Sequence, residues 1–138
     1  MHEQARYPHL LDQDAPILTA YLLEHGHRYH TVFFDVQVGQ GRDPGPDYQD
    51  NIRNMAIRLS RRRIDALGLG KDTVDIIEIT EAAGTTAIGQ LITYQELYIK
   101  GRPNTQTPRL IIAARSLQTD MQPPFDALDI EVHLYPDA

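Results

Sequence analysis

Hydrophobic positions recur along this chain in two rhythms. Ile17, Leu18, Tyr21, Leu22 and Leu23 repeat at helical spacing. Asp14 stands before them as a potential cap, and Pro16 falls in the first turn, where a missing amide costs nothing. With Gly26 as the stop, the pattern predicts a helix over 15–25. From Val32 the rhythm changes to strict alternation. Val32, Phe34, Val36 and Val38 share one face and Asp35 and Gln37 the other, which describes a strand. The Gly- and Pro-rich run 39–46 can only be a loop. Asp47 then caps a second expected helix, with Ile52, Met55, Ala56 and Leu59 on one stripe and the arginines largely off it.

Two strands follow, at about 61–69 and 73–80, joined by the turn Gly70-Lys71-Asp72. The second is apolar on both faces through Val74, Ile76, Ile77 and Ile79, as a central strand should be. Ala82-Ala83-Gly84 turns the chain, and Thr85 or Thr86 can cap a third helix, 85–100, with the stripe Ala87, Ile88, Leu91, Tyr94 and Tyr98. A short buried strand is expected at 109–114, and the order strand, helix, strand favours parallel pairing with a right-handed crossover. Pro123-Pro124 is expected to break the chain. Leu128, Ile130, Val132 and Leu134 alternate with Asp129, Glu131 and His133 in a final half-exposed strand. The sum is an α/β domain with a single mixed β-sheet flanked by helices. One domain is expected over 1–138: an arm at 1–13, a core at 14–114 and a C-terminal extension at 115–138 carrying the last strand.

Composition narrows the chemistry. The 138 residues include no cysteine, which removes thiolate catalysis, disulfides and cysteine-bound zinc. No apolar run approaches a membrane span, so a soluble protein without membrane partners is expected. The net charge of −6 lacks the basic surplus common in small nucleic-acid-binding proteins. Arginine is nevertheless concentrated at Arg53, Arg58, Arg61, Arg62 and Arg63. Arg58, Arg61, Arg62 and Arg63 are therefore candidate nucleic-acid contacts, set against the alternative of a solvated helix face.

Asp65 and Glu78 lie one on each of the two middle strands, where a pair of carboxylates can hold Mg²⁺ and activate water. They can equally be polar residues facing solvent. His25, His27 and His30 are close enough in sequence to suggest zinc, yet they straddle a helix end without a ligand motif, and a solvated cluster is the expectation. The 39–46 loop lacks the ending of a phosphate-binding loop, and Ser60 and Ser116 have no nucleophile-elbow context.

The ordered pattern Arg-Ile-Asp-Ala, turn, Ile-Ile-Glu-Ile-Thr, then Ala-Ile-Gly-Gln-Leu-Ile-Thr-Tyr resembles the PD-(D/E)XK, or restriction-endonuclease-like, superfamily over about residues 28–114. The resemblance implies a restriction-endonuclease-like core with Asp65 and Glu78 as metal ligands and Gln90 and Tyr94 supporting the site from the next helix. It also makes Glu24, on the first helix, a candidate for a further acid. Where the family pattern has a catalytic lysine, this chain has Thr80, which cannot supply positive charge to a developing phosphorane. The only lysines are Lys71 and Lys100. Two expectations follow. In the first, Asp65, Glu78, Thr80 and Gln90 are a vestigial site in a binding or assembly module with no cofactor. Its partners would be other proteins, viral structural proteins or further copies of itself, in the cytoplasm or in a phage virion. In the second, the protein is a Mg²⁺-dependent nuclease.

Overall fold

The computed structural model describes residues 10 and 12–138, so most of the arm expected at 1–13 lies outside the described residues. Helix α1 (Ala15–His25) and a 3-10 turn (Gly26–Arg28) precede strand β1 (Thr31–Val38) and helix α2 (Asp50–Ser60). Strands β2 (Arg62–Leu69) and β3 (Val74–Ala83), helix α3 (Thr85–Gly101) and strand β4 (Arg109–Leu117) make the middle of the chain. Helix α4 (Gln122–Ala127) and strand β5 (Ile130–Leu134) complete it. The five strands form one mixed sheet in sequence order. β1 and β2, and β2 and β3, are antiparallel, whereas β3, β4 and β5 run parallel. The parallel pairing of β3 with β4 across α3 is as expected from the order of elements.

The sheet buries both faces. Ile17, Leu18 and Tyr21 of α1 pack on Ala66, Ile77, Ile79, Ile111 and Ala113. Leu91, Tyr94 and Tyr98 of α3, with Phe125 of α4, cover Ile64, Leu67, Ile76, Leu110 and Ile112 on the other side. Each fully buried Ile, Leu or Phe contributes about 1.5–3 kcal/mol of transfer free energy, so these two layers dominate the stability. Among the described residues, no helix is long and apolar enough to cross a membrane.

Four local expectations are corrected. Pro123-Pro124 does not break the chain but opens α4, because prolines in a first helical turn replace amides that have no partner there. Asp47 is not the cap of α2, whose N-cap is Gln49. The apolar stripe of α2 does not reach the core: Ile52, Met55 and Leu59 are all exposed and no residue of that helix is buried. Finally, β1 does not keep strict alternation. Val32 packs with the α1 layer and Val36 and Val38 with the α3 layer. The change of face falls at Asp35, which adopts a left-handed conformation (φ 56°) that Asp tolerates better than most residues.

One buried charge ties the α1 side together. Asp75, fully buried, accepts two hydrogen bonds from the Arg109 guanidinium (2.6 and 2.8 Å) and one from the Tyr29 hydroxyl (2.6 Å). Tyr29 and Tyr21 share a further hydrogen bond of 2.6 Å. Tyr29 reaches this position by lying across Gly68, where a Cβ would come within 2.5 Å of the ring. The absent side chain on β2 thus makes room for the network.

Candidate active site

The pairing of β2 with β3 is what brings the two predicted acids together. The ladder runs from Leu69–Val74 to Ala66–Ile77 and stops there. Continued by one step, the same register would set Asp65 opposite Glu78. The β1–β2 ladder is interrupted at the same level, passing from Phe34–Ala66 to Val36–Ile64 without pairing Asp35 and Asp65. Asp65 therefore sits where β2 has lost regular partners on both sides. Its Oδ2 accepts the amide hydrogen of Ile79 at 2.9 Å, so a carboxylate takes the place of a strand carbonyl. Nearby, Arg63 donates to Asp35 at 2.8 Å and steadies the irregular turn of β1.

The electrostatics of this pair are unusual. Burial raises Glu78 well above the ordinary carboxylate range, reinforced by repulsion from Asp65 and by a hydrogen bond to it. Burial raises Asp65 as well, against the opposing pull of the Ile79 amide and the Glu78 hydrogen bond. Two carboxyls in hydrogen-bond contact cannot both ionise cheaply, so the pair retains a proton at neutral pH, held chiefly by Glu78. Glu78 Oε2 is buried without a hydrogen-bond partner. A buried acceptor of this kind costs about 1–3 kcal/mol unless something satisfies it.

A third acid stands close by, and it is not the expected one. Glu24, the sequence candidate on α1, lies at the far end of that helix, where it contacts His25 and Tyr135. Asp14, at the N-terminal end of α1, is near enough to raise both Asp65 and Glu78 by repulsion. Asp14 caps the helix only through its backbone carbonyl, which accepts from Ile17 and Leu18, and its side chain makes no capping bond. Its Oδ1 is buried and unpartnered. Oxygen donors, retained negative potential and unsatisfied buried oxygens fit a hard divalent cation such as Mg²⁺. The residues that would hold it are Asp65 and Glu78, with Asp14 adding charge.

The supporting residues divide between two places. Tyr94 of α3 is buried near the acids, and burial followed by the repulsion of Glu78 and Asp65 raises its hydroxyl pKa. Arg62 is near enough to oppose that rise. Thr80 and Gln90, by contrast, line a polar cavity of about 340 Å³ with Thr85, Thr86 and Gln118. Thr80, two residues beyond Glu78, thus stands beside an open polar space. Lys71 lies in the turn that closes the opposite end of the β2–β3 hairpin. Lys100 lies in the last turn of α3, where it lines a separate cleft with Arg61 and Arg102.

The arginine cluster does not act as one surface. The Arg61 guanidinium donates to the Gly39 carbonyl at 2.8 Å and to Gln37 at 3.4 Å, holding the loop after β1. Arg63 is engaged with Asp35, while Arg58 and Arg62 are exposed. The sequence cluster of His25, His27 and His30 is not assembled either. His30 turns to Thr31, and His25 instead meets His133 of β5, with ring centroids 4.1 Å apart. His133 escaped sequence reasoning because its alternation on β5 marked it only as an outward-facing polar residue.

No protein-family model and no curated protein matches this chain. Among solved structures, the chain is similar to the crystal structure of a repair endonuclease from Pyrococcus abyssi, with a TM-score of 0.51 and 14% identity. The match covers 95% of this chain and 49% of that one, so the chain spans about half the length of the archaeal protein. At this identity the likeness concerns the fold. The class that the sheet order defines is an α/β domain with a single mixed sheet, in a fold like that of the endonuclease.

Proposed function

We propose that this protein keeps the frame of a restriction-endonuclease-like active site without its chemistry, and works as a binding or assembly module. The observation that carries this reading is Thr80. It stands two residues beyond Glu78, where the motif has its lysine, and neither Lys71 nor Lys100 is placed to substitute. Stabilising the charge that develops on phosphorus needs a donor or cation already in position, and removing one such group typically costs 10²–10³ in rate. A bound Mg²⁺ would supply Lewis acidity and lower the pKa of a coordinated water. Of the chain's own groups, the Ile79 amide orients Asp65, and Tyr94 lies buried near the acids.

Surfaces for partners support the same reading. Ile52, Met55 and Leu59 form an outward apolar stripe on α2. β1 is an edge strand on which Phe33 is half exposed, and open edges accept added strands. A phage particle is the assembly that the sequence resemblance suggests.

A second reading, a Mg²⁺-dependent nuclease, is favoured by the unpartnered buried oxygens of Glu78 and Asp14. Incubation of the purified protein with plasmid, single-stranded DNA and RNA in Mg²⁺ or Mn²⁺ separates the two. The module reading expects intact substrates. Cleavage that disappears in both Asp65→Ala and Glu78→Ala would overturn it.

A further inference from the structure

At the opposite end of α1 from the acid pair, Glu24, His25 and His133 each offer a ligand atom, and the three atoms lie within 4.8 Å of one another. We infer that this cluster is a second metal site, selective for a borderline divalent ion of the Zn²⁺ type, that ties strand β5 to helix α1. Two imidazole nitrogens and one carboxylate oxygen suit Zn²⁺, Co²⁺ or Ni²⁺ and disfavour Mg²⁺ and Ca²⁺, which take oxygen donors.

Several features of the surroundings support the assignment independently of ligand count. His25 Nε2 is buried and lies 2.6 Å from Glu24 Oε1, so one imidazole nitrogen and one carboxylate oxygen already meet at this point. An ion bound between them would replace the proton that the pair shares. His133 Nε2 is held at 2.6 Å by Glu131 Oε2, which leaves Nδ1 as the nitrogen for the metal. A carboxylate on the far nitrogen of a ligating histidine fixes its ring and raises its basicity. Tyr135 donates to Glu24 at 3.1 Å, and the Tyr21 ring lies 5.0 and 5.6 Å from the two imidazoles. The site also stands at the C-terminal end of α1, where the helix dipole favours a cation. Arg28, which lies nearby, is neutralised by Glu131 at 2.6 Å. Glu24 is more than half exposed, so an ion has a way in.

The consequence is mechanical. β5 is an edge strand whose pairing with β4 covers only Leu110–Ala114, and a metal bridging His133 to α1 adds a cross-link over 108 positions of sequence. Three protein ligands leave a coordination position open to water or to a partner's side chain.

The test uses the whole chain, stripped with EDTA and held in excess Mg²⁺ so that the acid pair is occupied. Zn²⁺ is titrated by calorimetry and Co²⁺ by visible absorption. One Zn²⁺ per chain is expected, with tetrahedral Co²⁺ bands and a melting temperature that rises with Zn²⁺. His25→Asn and His133→Asn should each weaken binding by at least about a hundredfold, and Glu131→Gln by about 10–100-fold. Glu24→Gln removes the exposed ligand and keeps an acceptor for Tyr135, so its loss of binding cannot be ascribed to unfolding; circular dichroism checks each variant. The proposal is overturned if the parent protein binds neither ion below millimolar concentration. It is equally overturned if Glu24→Gln and a folded histidine variant bind as tightly as the parent.

Discussion

The two ends of α1 offer opposite kinds of site. At the N-terminal end Asp14 stands near Asp65 and Glu78, all oxygen donors, and the Asp65–Glu78 pair holds a proton at neutral pH. At the C-terminal end Glu24 and His25 meet His133, a mixed set open to solvent on one side. The first depends on neighbouring strands whose register puts the acids at one level. The second depends on how a helix lies across a sheet, because its ligands come from opposite ends of the chain. One helix therefore serves two unrelated environments, and each can be altered without touching the other.

The largest effect should come from restoring charge at the acid end. Thr80→Lys places an ammonium group beside the polar cavity shared with Gln90. We expect Mg²⁺-dependent nicking of plasmid DNA at least about a hundredfold above the parent, read on agarose gels. Unchanged Zn²⁺ binding would show that the two ends are independent, and no gain in cleavage would argue against descent from an active nuclease.

Asp75→Asn tests the network that joins Tyr29 and Tyr21 to the histidine end. It removes a charge paired with Arg109, and although breaking a buried pair costs about 3–5 kcal/mol, the half-exposed Arg109 can regain water. A loss of about 2–3 kcal/mol in urea denaturation is expected, with Zn²⁺ affinity falling and Mg²⁺ affinity unchanged.

The acid pair should also set a dependence on pH. Glu78 binds its proton more tightly folded than unfolded, so its contribution is fully present below the ordinary glutamate range and is lost as pH rises through its elevated folded value. Glu78→Gln should therefore flatten the decline in stability between mildly acidic and mildly alkaline pH, measured by denaturation midpoints across that window. Over the same window Mn²⁺ binding to the parent should strengthen by roughly tenfold per pH unit, because the ion displaces one proton. A flat calorimetric profile would contradict the shared proton.

The smallest effect should be on α2. Met55→Gln and Leu59→Gln alter exposed side chains and should change stability by no more than about 0.5 kcal/mol. A large loss of melting temperature would mean that this helix is covered.

Much of this fold could be read in the sequence because its signals are local. The alternation and apolar runs of β2 and β3, the turn between them and the stripe of α3 identify a hairpin followed by a helix. That was enough to put Asp65 and Glu78 on adjacent strands with a helix after them. Where local signals were weak or ambiguous, the reading failed. The stripe of α2 has helical spacing but no surface to meet, since periodicity records amphipathicity and not the presence of a partner. Pro123-Pro124 reads as a break unless it is known that a helix begins there.

The sequence by itself determined the order of elements, the acids at positions 65 and 78 and the threonine at 80, because each follows from residue identity and short-range spacing. Only the tertiary structure decided that the strands part where the two acids stand, that Asp14 and not Glu24 joins them, and that His25 finds His133. Those outcomes depend on the direction in which α1 crosses the sheet. That direction is set by packing Ile17, Leu18 and Tyr21 against residues some 50–95 positions away, a contact that no local pattern encodes.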